Sequence, residues 1–223
     1  MRLHIRRFME SGRVIALEGG EGAGKTTIWN VLEQLAKGNG SFTFCREPGG
    51  TTFGEKVRQV IFAVDEEILP ETEMMLFMAS RLELFKRVVR PALRLGRHVV
   101  TDRLDASTYV YQIYAPRRLW LEPVFRSLQR VYLSPPTSDS DWIRPVYILL
   151  DIDPVVGLAR AKSRKVGNKF DDRPVAYHQM VREGYNHYIK GEKYHAVIDA
   201  SLPLDEIVEK VRKVIWEFTG VKL

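Results

Sequence analysis

Nine consecutive residues, Gly19, Gly20, Glu21, Gly22, Ala23, Gly24, Lys25, Thr26 and Thr27, carry the densest chemical signal in this 223-residue chain. Gly19, four residues, then Gly24-Lys25-Thr26 is the spacing of a phosphate-binding P-loop. Glycines let the backbone curl until successive N–H groups face one anion, and a following helix adds the positive end of its dipole. Lys25 is placed to reach the β- and γ-phosphates of a nucleotide, and the Thr26 hydroxyl to ligate Mg²⁺. A glycine turn that merely joins a strand to a helix would share this composition. The flanks argue for the phosphate site: residues 13–18 are a short apolar run, and residues 26–37 place Ile28, Val31, Leu32 and Leu35 at helical spacing.

Four other groups have the types and places for chemistry on a polyanion. Arg46 opens a glycine- and proline-rich loop, residues 46–51 (REPGGT), just after an expected strand. Asp102 and Arg103 end a buried strand, at the sheet edge where doubly wound folds bind ligands. Phe77 and Arg81 are spaced i, i+4 and so project from one helix face, although on residue type alone Phe77 reads as core. Arg160, Lys162, Arg164, Lys165, Lys169 and Arg173 form a basic patch, which a merely solvated loop would also show.

The elements that must position these groups follow from periodicity. Strands are expected at 13–18, 41–45, 98–101, 145–151 and 195–198. Helices are expected at 26–37, 53–64, 71–95 kinked or ended at the turn before Pro91, 105–131, 154–162, 175–189 and 204–218. This alternation means an α/β fold with a parallel sheet.

Composition narrows the functional classes. The chain carries 34 Lys and Arg against 28 Asp and Glu, a net charge of +6. That charge fits either a nucleic-acid surface or polyphosphate substrates; no nucleic-acid motif accompanies it, so small anions are favoured. One cysteine, Cys45, excludes an internal disulfide framework, and no CxxC pattern points to zinc. No Ser-His-Asp or Cys-His set points to covalent catalysis. No apolar run approaches a membrane span and no secretory leader is evident, so a cytoplasmic protein is expected.

In order along the chain, ALEGGEGAGKTT, REPGGT, LFMASR, DRLDASTYVYQ, DIDPVVGLAR, MVREGYNHY and VIDAS resemble the thymidylate kinases, over residues 16–201. The resemblance implies a three-layer α/β/α P-loop NTPase fold with a central parallel sheet of about five strands and a short basic lid. It also implies one domain over residues 1–223, with an N-terminal extension at 1–12, a surface loop at 134–144 and the lid at about 160–174. The implied reaction moves the γ-phosphate of ATP to dTMP with Mg²⁺ as cofactor, and partners are limited to the two nucleotides and a second copy in a homodimer.

Residue by residue, the resemblance gives Arg46 and Arg103 to the acceptor phosphate, and Asp102 to the magnesium beside Thr26. A helix N-cap or a salt bridge to Arg103 are other uses of Asp102. Phe77 is implied to stack on thymine and Arg81 to donate to its O4, while Glu21 meets the sugar 3′-hydroxyl and Tyr111 crowds its 2′ position. Ser107, Thr108 and Gln112 are expected around base and sugar, with ordinary helix-surface roles equally open. Gly22 marks the subtype whose catalytic arginine comes from the lid. Arg164 is expected to cover the transferring group, with Arg160 against adenine. Leu104 replaces the family's usual tyrosine and is expected to remove a hydroxyl near the acceptor. Another monophosphate acceptor, such as dUMP or a purine, and a P-loop ATPase acting on nucleic acid are the other readings.

Overall fold

The computed structural model describes residues 12–63, 68–134, 143–163, 170 and 172–223. Five parallel strands form one sheet in the order β2-β3-β1-β4-β5: β1 (Val14–Glu18), β2 (Phe42–Arg46), β3 (His98–Asp102), β4 (Val146–Asp151) and β5 (His195–Asp199). All five residues of β1 are buried, as expected for a strand covered on both faces. Its side chains alternate between two cores. Ile15 and Leu17 pack with Val100, Val146 and Ile148 under α1 (Lys25–Leu35) and α9 (Leu204–Thr219). Val14 and Ala16 pack with Val99, Tyr147 and Leu149 on the opposite face. That second layer contains α3 (Pro70–Leu84), α5 (Asp105–Thr108), α6 (Glu122–Leu133) and α8 (Val175–Lys190). Each large apolar side chain so buried contributes about 1.5–3 kcal/mol relative to exposure.

Strand register fixes where the chemistry is gathered. Leu17 and Arg46 each pair with Asp102, which levels the carboxyl ends of β1, β2 and β3. The loops leaving these ends therefore open onto one crevice. From the other side, α7 (Pro154–Lys162) leaves β4 and crosses the P-loop.

Of the two outcomes expected at Pro91, the helix does not end there: α3 runs into a π turn over Phe85–Val89, then continues as α4 (Arg90–Arg94). The Arg90 N–H bonds five residues back, to the Phe85 carbonyl. This wider turn accommodates a proline ring that would otherwise meet a carbonyl in the preceding turn. The expectation of one helix over residues 105–131 is corrected. After α5 comes a π segment, Tyr109–Tyr114, then a break in which Arg117 has φ 58°, and α6 starts only at Glu122. Pro116 cannot supply the N–H that would carry the helix on.

The remaining helix, α2 (Thr52–Ala63), follows the REPGGT loop. The methionines of α3 differ in burial: Met74 and Met78 are core, whereas Met75 is exposed. No helix among the described residues is long and apolar enough to cross a membrane. The expected N-terminal extension and surface loop fall mainly at 1–11 and 135–142, outside the described residues.

Candidate active site

The P-loop is held by contacts that tolerate no side chain. Gly22 has φ 71°, and a Cβ there would lie 1.9 Å from the Gly157 carbonyl oxygen on α7. Reciprocally, a Cβ on Gly157 would lie 2.4 Å from the Glu21 carbonyl oxygen. Gly19, at φ 150°, passes 2.5 Å by the same measure from Leu150 O. An arginine at position 22 has no room in this chain. Gly24, at φ 84°, turns the backbone into α1, whose start has no side-chain cap. Its first N–H groups are thus left for an anion.

Lys25 is buried and donates to the carbonyl oxygens of Gly19 and Gly20, both at 2.8 Å. Burial and the nearby Arg103 push its ammonium pKa down to about 8, against the opposing pull of Glu21 and Asp102. Thr26 Oγ1 donates to Asp102 Oδ2 at 2.7 Å. The other oxygen, Asp102 Oδ1, is buried with no hydrogen-bond partner. A hydroxyl and a carboxylate with an unused oxygen, side by side, are hard donors that suit Mg²⁺, an ion that takes few protein ligands and keeps its waters. This donor set fits the ion.

Arg103 takes the left-handed conformation, φ 73°, which is uncommon outside glycine. Its Nη2 donates to Glu21 Oε1 at 3.1 Å; Nη1 donates to Ser107 Oγ at 3.0 Å and Tyr185 Oη at 3.3 Å. Its guanidinium lies 5.5 Å from the Tyr111 ring centre. Burial disfavours the charge, but Glu21, Tyr185 and Tyr111 more than offset it and hold the pKa well above the ordinary value. Glu21 also accepts from Tyr111 Oη at 3.0 Å, so Glu21, Arg103 and Tyr111 form one unit. Arg46 is exposed, with Nη2 3.6 Å from Glu55 Oε1.

Arg58, which the sequence reading passed over, joins these cations from α2 and donates to the Pro48 carbonyl at 3.2 Å. Burial, then Arg46, lowers its pKa, with Arg103 adding to the effect and Glu55 and Asp102 opposing it. Arg46, Arg58 and Arg103 thus share one field. The signal available in sequence was an arginine six residues into a helix that leaves the REPGGT loop.

On α3, Phe77 is half-buried and lies outside both apolar cores, against the core reading of its residue type. Arg81 is almost wholly buried: Nε meets Glu47 Oε2 at 2.5 Å, and Nη2 donates to Leu104 O and Thr108 Oγ1. With Nη1 also on Met78 Sδ, one of its five N–H donors is left for another acceptor. Burial drives the Glu47 carboxyl up to about 7 despite the stabilising charge of Arg81. Gln112 donates to Glu73 Oε2 at 3.1 Å, while its own Oε1 is buried without a hydrogen-bond partner. Leu104 corrects another expectation. Its side chain is fully buried in the core, and only its backbone meets the site.

Flanking the expected lid, Arg160 Nη1 donates to the Ala200 carbonyl at 2.7 Å, and Arg173 lies over the Tyr177 ring. Phe170 packs on Tyr111, ring centres 5.0 Å apart. Arg164 lies outside the described residues. Glu18 and Tyr185 were also missed; the first read as the end of a strand and the second as one aromatic in a helix.

Comparison with known proteins agrees with this geometry. The family model described as thymidylate kinase matches residues 17–211. The chain is similar to the thymidylate kinase of Deinococcus radiodurans, 36% identical over 94% of this chain and 98% of that one. It is also 36% identical to that of Caldanaerobacter subterraneus (93% and 96% covered) and 33% identical to that of Legionella pneumophila strain Paris (93% and 96%). A match over nearly the whole length, with Lys25 of the P-loop and Arg103 after β3 meeting at one sheet edge, places the chain in the thymidylate kinase family.

Proposed function

We propose that the protein phosphorylates dTMP to dTDP with ATP by holding the two nucleotides tail to tail along the carboxyl edge of β1, β2 and β3. The observation that carries this reading is the meeting of Lys25, Glu21, Thr26, Asp102 and Arg103 at that edge. The P-loop amides and Lys25 receive the triphosphate. Thr26 and Asp102 would hold the magnesium of Mg-ATP, which supplies charge neutralisation on the β- and γ-oxygens when bound. Arg46, Arg58 and Arg103 hold the acceptor phosphate. That phosphate is largely dianionic near pH 7, so no general base is required.

An acceptor oxygen forms a bond to the γ-phosphorus as the bond to the bridging oxygen of ADP breaks. Catalysis then consists of alignment and compensation of charge. Phe77 stacks on the base. The remaining Arg81 donor meets O4, which rejects the amino group of cytosine, and Gln112 Oε1 accepts from the ring N–H. Glu21 and Tyr111 border the sugar, with Ser107 and Thr108 behind them.

In this reading Gly22 belongs with a lid-supplied arginine, Arg164, with Arg160 on the adenine side, within one domain whose lid spans about 160–174. Exposed Met75, Phe53 and Val60 on α2 and α3 favour a homodimer, for which the test is a solution mass by light scattering. The expected compartment is the cytoplasm.

A panel of monophosphate acceptors with ATP and Mg²⁺ tests the substrate. ADP release that requires dTMP supports it; release with dUMP or a purine monophosphate instead, or stimulation by DNA or RNA, refutes it. Arg164→Ala tests the lid. An arginine finger is worth about 10³–10⁵ in turnover, so a fall below about tenfold removes Arg164 from that role.

A further inference from the structure

The residue before the P-loop, Glu18, is a carboxylate with no solvent exposure and no basic side chain bonded to it. Such a group survives burial only if donors surround it. Here all of them come from the segment that follows Arg103. Glu18 Oε1 accepts from Leu104 N at 2.8 Å and Ser107 N at 3.2 Å, and Oε2 accepts from Ser107 Oγ at 2.6 Å. Ser107 Oγ is in turn the acceptor for Arg103 Nη1, and Tyr185 Oη lies 2.8 Å from it.

The bonds therefore enclose Arg103 from both directions. Its backbone N–H is tied to Leu17 O at 3.0 Å and its carbonyl to Thr101 Oγ1 at 2.8 Å. The next N–H in the chain is tied to Glu18. A non-glycine residue in the left-handed region is strained and persists only where its surroundings over-determine it. Resting on the assignment of Arg103 to the acceptor phosphate, we propose that Glu18 is a positioning residue. It clamps the turn at Asp102–Leu104 and, through Ser107, aims the Arg103 guanidinium across the crevice. The strand that leads into the donor site thus also sets the geometry of the acceptor site.

The test is a double-mutant cycle on the full-length enzyme with Glu18→Ala, Arg103→Ala and both, varying dTMP and ATP separately. Glu18→Ala is expected to lower kcat/KM for dTMP by about 10–100-fold, the scale of a 1 Å misplacement. In the Arg103→Ala background the same change is expected to add no more than about twofold, the scatter of independent effects. Glu18→Gln keeps an oxygen for the two backbone donors and is expected to restore most of the loss. Should Glu18→Ala fail to fold, Glu18→Asp, which withdraws the oxygens by one methylene, replaces it in the same cycle. Full additivity with Arg103→Ala, or an equal loss toward ATP and dTMP, overturns the proposal. If Arg103→Ala itself leaves dTMP kinetics unchanged, the fault lies in the assignment of Arg103 to the acceptor phosphate.

Discussion

Replacing Gly157 with alanine sets two effects of opposite sign against each other. In an ordinary helix interior the change is favourable by about 1 kcal/mol, because glycine has more backbone freedom to lose. Here the new methyl would meet Glu21 O at 2.4 Å and Ile152 Cγ2 at 3.2 Å. Ordinary contact begins at 3.4 Å, so α7 and the P-loop must part by 1.0 Å. Both neighbours are poorly able to yield, since one is backbone and the other belongs to the core. Overpacking of this kind costs about 1–3 kcal/mol, more than the helix gains.

The displaced element is the peptide of Glu21, whose side chain holds Arg103 and Tyr111. A 1 Å shift there costs up to about 100-fold in rate. The expected result is a lower melting temperature together with a rise in KM for ATP or a fall in kcat, read by thermal unfolding and coupled ADP release. Gly22→Ala should be worse, because it adds a left-handed backbone penalty of about 1–2 kcal/mol to a closer clash. A Gly157→Ala enzyme that melts higher and binds ATP normally would refute this reasoning.

Two further outcomes follow from named groups. The Glu47 carboxyl ionises near 7 in the folded chain against 4.5 ordinarily, so the native state binds the extra proton between these values. Its contribution to stability therefore falls as pH rises from about 4.5 to 7; Glu47→Gln should flatten that part of the melting-temperature profile, and an unchanged slope would refute the assignment. Thr26→Ala removes one of two hard oxygen donors at the expected magnesium position. It should raise the Mg²⁺ concentration needed for half-maximal rate, and an unaltered Mg²⁺ titration would exclude Thr26 from that role.

The strands were legible to within a residue or so, because fully buried parallel strands are near-continuous apolar runs and 145–151 or 98–101 admit little else. The P-loop and the two arginines after strands were legible because their chemistry fixes residue type and spacing together. Other features depend on partners distant in sequence. Glu18 finds its donors at residues 104 and 107, and Gly22 meets Gly157; no local pattern records either pairing. The turn at Arg103 was hidden for the same reason, since three long-range or backbone bonds hold it and no glycine marks it. At Pro91 the sequence left two outcomes open. A proline forbids a regular α-turn before it, but a wider turn satisfies the same restriction without breaking the rod.

That wider geometry recurs over Tyr109–Tyr114, the stretch bearing Tyr111 and Gln112. Each such turn spends one residue more than a regular helix on nearly the same climb, so each residue beyond it sits where a regular helix would place the one before. Excising a single residue there would let the coil rewind to regular turns, re-spacing the side chains within the wide segment while those beyond it keep nearly their phase. Tyr111 or Gln112 would then leave its place with every side chain chemically intact. Length between Thr108 and Ala115 is thus as much a determinant of where Tyr111 and Gln112 sit as residue identity, and homologous stretches are best aligned by phase around the axis.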